Sequence, residues 1–257
     1  MINIILCGCW GRMGEAVIKS LESGVSGCDA QIVAGINIAT PNEAPTCKFP
    51  IYELISDFPG KADVIIDFSH HSARPSLVEY ARETSTPLVV ATTGHTDEEL
   101  ALMRQASEKV AIFHSGNMSL GINLLIELAK LAEKTLGISF DVEIVEKHHN
   151  KKLDAPSGTA LMIANAIKEN KADATYVFDR HTERRAREQN EIGIHSVRGG
   201  TIVGEHEVIF AGPNETITLS HSALSREIFA GGAIRAASYI ATKSAGLYNM
   251  SDLINGK

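Results

Sequence analysis

Ile2-Asn3-Ile4-Ile5-Leu6-Cys7-Gly8-Cys9-Trp10-Gly11-Arg12-Met13-Gly14 is the stretch that decides the fold. A β-branched, apolar run ends in a turn with glycine at 8, 11 and 14, and residues 14–21 then alternate polar and apolar at helical spacing. A strand that turns through glycine into a helix is the opening unit of a parallel sheet with crossover helices. The amides of such a turn and the positive helix end can hold a pyrophosphate, and glycine permits the close approach. The spacing is G-x-x-G-x-x-G rather than G-x-G-x-x-G. It therefore admits two readings, a dinucleotide-phosphate loop or a tight turn and no more. Arg12 is likewise either a phosphate partner or an exposed arginine at a helix start.

The alternation continues outward from this unit. Strands are expected at 2–7, 31–36, 64–68, 88–91 and 110–114, and helices at 14–21, 72–83 and 97–109. Thr96 and Glu99 offer a capping box to the third helix. Strands alternating with helices predict an α/β fold, a Rossmann-like doubly wound parallel sheet. After Gly116 the order changes to an apolar helix at 120–136, a strand at 141–147, a lysine-rich loop, a helix at 159–169 and a charged stretch at 179–190. Strands at 191–197, 206–211 and 216–222 follow, which reads as a smaller α+β domain. The alanine-rich segment 229–247 is expected to be one helix returning to the first domain. The expected domains are thus 1–118 with 226–257, and 119–225, with Arg226 and Gly231-Gly232 marking a hinge.

The 257 residues, 44% hydrophobic and 21% charged, supply apolar mass for two modest cores. A net charge of -7 with no long basic run excludes nucleic acid as the expected partner and favours a small molecule. No apolar run approaches the ~18 residues that span a bilayer, so no membrane partner is expected. The apolar start opens directly into the glycine turn and reads as a strand rather than a signal peptide. The expected compartment is the cytoplasm, with Cys7, Cys9, Cys28 and Cys47 reduced. Cys7 and Cys9 lack a matching Cys or His pair, so buried or loop thiols are expected there rather than zinc.

Ligands of such sheets lie outside the carboxyl ends of the strands. Asp67-Phe68-Ser69 ends the third strand and Ala91-Thr92-Thr93-Gly94 the fourth. Each is either part of a cofactor crevice, with small residues against a nicotinamide ring, or a simple strand-to-helix turn. At the end of the second strand an acid would favour NAD and an arginine NADP, and this chain has Asn37 followed by Ile38. Asn37 can bond a hydroxyl without repelling a phosphate, which would allow use of both NADH and NADPH. It is equally a plain loop asparagine.

The segment Glu146-Lys147-His148-His149-Asn150-Lys151-Lys152-Leu153-Asp154-Ala155-Pro156-Ser157-Gly158-Thr159-Ala160 gathers two imidazoles and three ammonium groups within 147–152, in an acidic chain. One reading is an anion site. Ser157-Gly158-Thr159 opens a helix, so hydroxyls, amides and helix dipole can face a carboxylate, and Pro156 suits the helix entry. Another is a solvated basic loop with a helix cap. Metal ligation by the paired histidines is disfavoured, because neighbours on an extended strand face opposite ways.

These segments, with Ser115-Gly116-Asn117-Met118-Ser119 and Arg198-Gly199-Gly200-Thr201-Ile202-Val203-Gly204-Glu205-His206-Glu207, resemble the 4-hydroxy-tetrahydrodipicolinate (dihydrodipicolinate) reductase family in order and spacing across nearly the whole chain. The resemblance implies hydride transfer from NADPH or NADH to a small cyclic dicarboxylate in lysine and diaminopimelate biosynthesis. It implies His148 as catalytic acid and Lys152 as a second catalytic cation, with His149, Ser157, Gly158 and Thr159 holding the substrate carboxylates. An imidazolium with a pKa near neutrality suits the proton transfer, and a fixed lysine suits the developing charge. The implied cofactor contacts are Gly8, Cys9, Trp10, Gly11, Arg12, Met13, Asn37, Phe68, Ala91, Thr92, Thr93, Gly94, Ser115, Gly116, Asn117 and Met118.

A homotetramer built through the second domain's sheet, and a C-terminal segment that finishes the first sheet, are implied as well. The chain departs from the family at Trp10, where glycine is frequent, and at Asn37-Ile38, where some members carry an acid and an arginine. Cofactor choice is therefore not carried over. Another two-domain dehydrogenase would need, for instance, a nucleophilic cysteine near the nicotinamide, and no cysteine lies beyond residue 47. A non-catalytic dinucleotide sensor would have no use for the 148–159 segment. His95, His114, His181, His195, His206 and His221 are left as surface or structural residues.

Overall fold

A computed structural model describes residues 1–38, 47–92 and 94–257. The chain divides into two compact units, Met1–Leu120 with Arg226–Lys257, and Gly121–Ser225. The first unit runs β1 (Ile2–Cys7), α1 (Arg12–Glu22), β2 (Ala30–Ile36), β3 (Ile51–Tyr52), β4 (Val64–Asp67), α2 (Arg74–Thr84), β5 (Leu88–Val90), α3 (Asp97–Ser107) and β6 (Ala111–His114). The helix α4 (Leu120–Leu136) leads into the second unit, with β7 (Asp141–His148), α5 (Gly158–Lys168), β8 (Thr175–Val177), β9 (Glu191–Arg198), β10 (Gly204–Ala211) and β11 (Thr216–Ala223). The chain returns to the first unit as α6 (Glu227–Ile240), β12 (Gly246–Tyr248) and α7 (Met250–Asn255).

In the first unit the strands form one parallel sheet in the order β12-β6-β5-β4-β1-β2-β3. Successive side chains on a strand face opposite ways, so a sheet covered on both faces needs apolar residues throughout. In β1, Ile4 and Leu6 pack with residues of α1 and α6, whereas Ile5 and Cys7 pack with residues of α2 and α3. The sheet order reverses at β1, between β4 and β2, which places a crevice outside the carboxyl ends of β1 and β4. Thr96 and Glu99 form the expected capping box, with Thr96 N–H donating to Glu99 Oε2 at 2.9 Å and Glu99 N–H to Thr96 Oγ1 at 3.3 Å.

The expected helix over 229–247 is corrected. It ends at Ile240, and 246–248 form β12, which pairs in parallel with β6 from Gly246 opposite Ala111 to Tyr248 opposite Phe113. Thr242, Lys243 and Ser244 interrupt the apolar stripe, and the open edge of β6 offers amide and carbonyl groups that a strand satisfies and a helix cannot. Gly231 and Gly232 lie inside α6. A Cβ on Gly232 would stand 1.7 Å from the Met118 carbonyl oxygen, so its role in this unit is close packing.

The second unit is a mixed sheet in the order β11-β10-β7-β9-β8, with β7 parallel to β9 and antiparallel to β10. Residues from α4 and α5 pack on the face carrying Val142, Ile144, Ile192, Ile194, Val208 and Phe210. The 179–190 stretch is held by ion pairs from Arg180 and Arg185 to the buried Glu191, and from Arg187 to Asp141 and Glu143. The short strands β3 and β8 lie outside the expected set, because two or three residues are too few to display a period of two. No helix among the described residues is long and apolar enough to cross a membrane.

Gly232→Ala is expected to destabilise the protein by about 1–3 kcal/mol or more, since backbone must move. Gly231→Ala, with nothing within 4 Å of its Cβ position, is expected to stabilise by about 0.5–1 kcal/mol. Thermal unfolding of the two variants should move in opposite directions.

Candidate functional site

The glycine turn of the first unit sits at the end of β1. Gly8 has φ +76°, and a Cβ there would stand 2.6 Å from the Phe68 carbonyl oxygen. A Cβ on Gly14 would stand 2.3 Å from the Gly8 carbonyl oxygen. Both positions therefore require glycine. Gly11 is the N-cap of α1 and supplies no side-chain cap, so the leading amides of the helix are uncovered by any capping side chain. Arg12 is exposed at the first helical position, and Trp10 packs against the core. Cys9 follows Gly8 in this turn. Its thiol is buried against Gly35, burial pushes its pKa up to about 11, and only its backbone is left to face a ligand.

Met13, Phe68, Ala91, Ser115, Gly116, Asn117 and Met118 line one cavity of about 220 Å³ together with Phe229. Gly94 has φ +77°, and Thr93 lies outside the described residues. Behind this loop Arg74, fully buried, donates to Thr92 Oγ1 at 2.6 Å and pairs with Glu99 at 2.8 Å. Asn37, just past β2, is partly buried and donates its N–H to the Tyr52 carbonyl at 3.0 Å. These residues fit a dinucleotide: an uncapped helix start behind a glycine turn for the pyrophosphate, and a mostly apolar cavity at the strand ends for a flat ring.

In the second unit, β7 buries Val142, Ile144 and Glu146 on one face. The period of two therefore delivers a carboxylate to the end of an apolar row. Glu146 is 0% exposed, and both its oxygens are engaged. Oε2 accepts from His148 Nδ1 at 2.6 Å and from Arg198 at 2.8 Å, and Oε1 accepts from Arg198 at 2.7 Å and from Ser157 N–H at 3.1 Å. Burial pushes the Glu146 carboxyl up, but the hydrogen bonds from Arg198, Ser196, His148 and Ser157 outweigh it and hold it down to about 2. A carboxylate only accepts, so His148 Nδ1 carries the proton of that bond.

His148 closes β7, with its Nε2 3.1 Å from where a Cβ on Gly204 would stand. Burial lowers its pKa, and Lys152 and Arg198 lower it further against the pull of Glu146. The imidazole is thus neutral at neutral pH in the unliganded protein, whereas the acid role implied by resemblance needs a proton that an anionic ligand would draw in. Lys152 is paired with Asp154 at 2.9 Å. Ser157 is the N-cap of α5 and is buried, its Oγ accepting from Ala160 N–H at 3.1 Å. Gly158 is exposed and Thr159 partly exposed in the first turn of α5, and His149 is partly exposed beside His148. Another cavity of this unit, about 610 Å³, lies by Glu133 and Lys171 at the opposite end of β7, away from all these residues.

Residues 2–118 match the family described as dihydrodipicolinate reductase, N-terminus, and residues 121–254 match dihydrodipicolinate reductase, C-terminus. The chain belongs to the dihydrodipicolinate reductase family. It is 52% identical over 255 residues to a 4-hydroxy-tetrahydrodipicolinate reductase of Caldanaerobacter subterraneus subsp. tengcongensis, covering 99% of this chain and 98% of the relative. It is 46% identical to the enzyme of that name from Clostridium novyi, over the full length of both. Among solved structures it resembles a dipicolinate-bound dihydrodipicolinate reductase from Paenisporosarcina sp. TG-14, at 25% identity, TM-score 0.79 and 97% of each chain.

Three residues of these candidate sites escaped the reading of the sequence. Phe229 lines the first-unit cavity from a helix more than a hundred positions beyond Met118, and no local signal marks it. Arg74 carries no local signal either, and only its contact with Glu99 and Thr92 reveals it. His206, left among the structural histidines, is buried with its ring 5.3 Å from that of His148 and its Nε2 3.1 Å from Ser157 Oγ. Its position inside the 198–207 family segment was the available hint.

Burial, aided by His148, pushes His206 down to about 4, and burial with His95 and Arg74 does the same to His114. Both are neutral when folded, while the unfolded chain binds protons from about pH 6.5 downward. The stability that they contribute is complete above about pH 6.5 and is lost as the pH falls towards their folded values. Glu146 extends the loss from about pH 4.3 downward. The melting temperature should therefore fall steadily on acidification from neutrality. His206→Gln should flatten the upper part of that fall, and an unchanged slope would contradict the assignment.

Proposed function

We propose that this chain reduces 4-hydroxy-tetrahydrodipicolinate to tetrahydrodipicolinate in the diaminopimelate route to lysine, using a reduced nicotinamide dinucleotide. The carrying observation is the arrangement at the end of β7, where His148, its buried partner Glu146, and the start of α5 surround a strongly cationic segment. The net change adds a hydride and a proton and releases the hydroxyl as water. The nicotinamide supplies the hydride when bound.

The residues of the second unit have the remaining tasks. A dianionic substrate needs positive charge, and the leading amides of α5 at Gly158 and Thr159, with His149 and Lys152, provide it. Ser157, turned inward as the helix cap, fixes that helix start rather than offering an exposed hydroxyl. The arriving carboxylates raise the His148 pKa, so the imidazole gains the proton that it then gives up from Nε2. Lys152 exchanges Asp154 for the substrate and stabilises the charge that develops. The apolar cavity by Met13, Phe68, Ala91 and Met118 takes the nicotinamide ring, with Gly8 to Arg12 at the pyrophosphate.

Neither an acid nor an arginine stands at 37 or 38, which supports use of both NADH and NADPH. The β-sheet face of the second unit opposite α4 and α5 leaves Val145 and Ile209 partly exposed and Val197 exposed, which supports a homotetramer assembled there. The cytoplasm supplies both reduced nicotinamide and reducing conditions for the four free cysteines.

The test is oxidation of NADPH followed by absorbance with enzymatically generated substrate, and absence of turnover overturns the proposal. His148→Gln should lower kcat on the order of 10²- to 10⁴-fold. Lys152→Ala should also lower it strongly, and cofactor affinity should stay near normal in both. Near-normal turnover in the two variants refutes the residue roles. Catalytic efficiencies with NADH and NADPH should lie close together, and a bias of about a hundredfold, roughly 2.7 kcal/mol, rules out dual use.

A further inference from the structure

We infer that Glu146 is a positioning residue for the reductase reaction, a buried carboxylate that fixes the His148 tautomer and directs its Nε2 towards the substrate, with Arg198 holding that carboxylate in place. The inference rests on the proposed reaction for its catalytic consequence, although its structural content stands on the second unit alone.

An isolated neutral imidazole prefers the proton on Nε2, which leaves Nδ1 bare. Here Nδ1 lies 2.6 Å from an oxygen of Glu146, and that carboxylate is 0% exposed, so it has no water to turn to. Its remaining acceptor positions are taken by the two-pronged Arg198 guanidinium, at 2.7 and 2.8 Å, and by Ser157 N–H. The carboxylate is therefore ionised and fixed in rotation, and the proton on His148 is drawn to Nδ1. Nε2 becomes the atom that gains and loses the proton.

Space around the ring agrees with that direction. A Cβ on Gly204 would stand 3.1 Å from Nε2. Any other residue at 204 would crowd the nitrogen. Arg198 also donates to the Asp154 carbonyl at 2.7 Å. The same guanidinium thus ties the 149–157 loop to the carboxylate, and Ser157 N–H ties the start of α5 to it. One buried anion coordinates the proton donor and the helix start that would bind a substrate carboxylate.

The charged and titratable groups facing His148 are Glu146 on its own strand, Arg198 on β9, Lys152 in the loop and His206 on β10. Three of the four are cationic or can become so. Glu146 is the single group among them that favours the imidazolium, so its removal moves the His148 pKa down, whereas loss of any of the others moves it up or leaves it.

The first measurement uses the unaltered protein. Nitrogen-15 NMR of the histidine rings at alkaline pH, with His148 assigned by comparison with His148→Gln, should show the Nδ1–H tautomer for His148. A bare Nδ1 with the proton on Nε2 overturns the inference, whether or not the protein turns over substrate. The second measurement is Glu146→Gln, a near-isosteric change that removes the charge. It should lower kcat on the order of 10²-fold, leave KM for the cofactor unchanged, and shift the alkaline fall in kcat to lower pH. Glu146→Gln with wild-type kcat and an unshifted pH profile overturns the inference while leaving the reductase reading intact. Should Glu146→Gln fold poorly, Arg198→Lys keeps the charge balance but loses the fork; it should leave the His148 tautomer in place and lower kcat less than Glu146→Gln does, and a larger loss counts against the assignment.

Discussion

A carboxylate sealed from water must be met by donors on nearly every lone pair, and the second unit is organised around meeting that demand at Glu146. Desolvation of an ion costs several kcal/mol unless charge-assisted hydrogen bonds replace its water. Arg198 comes from the neighbouring parallel strand, His148 from two residues along the same strand, and Ser157 N–H from the entry to α5. Three separate segments are therefore drawn to one point by a single electrostatic requirement. An apolar residue at 146 would pack as well in the row with Val142 and Ile144, but would give the loop and the helix start no reason to converge.

The first unit solves a different problem with sterics rather than charge. Gly8, Gly14 and Gly232 are places where backbone approaches backbone more closely than a methyl group allows. The first two press the turn after β1 against β4 and upon itself, which exposes the uncapped amides of α1. The third lets α6 settle against Met118 at the border of the first-unit cavity. Precision in this unit comes from absent side chains, and a fully buried Arg74 stiffens the loop at Thr92 from behind.

The histidines show how one residue type serves opposite ends. His206 and His114 are kept neutral by burial, and they contribute to the fold only while they stay so. His148 feels the same desolvation but carries a carboxylate on one nitrogen, which leaves it able to accept a proton when an anion arrives. The difference lies in the neighbours, and the residue type alone does not reveal it.

Much of this was legible in the chain before any coordinates. Continuous apolar runs between amphipathic helices specify the parallel sheet, because burial on both faces leaves no alternate position for polar residues. The glycine turn, the capping box at Thr96 and the dense cationic segment before Ser157 are local signals, set by residues within a few positions of one another. What only the tertiary structure decided is non-local: the pairing of β12 with β6, the contribution of Phe229 to the first-unit cavity, the contact of Arg74 with Thr92, and the meeting of Glu146, Arg198 and His206 around His148. Each depends on which groups remain unsatisfied after the elements form, such as an open strand edge or a carboxylate without water. That need is met by whatever the fold brings near, from any distance along the chain, so no window of sequence contains it.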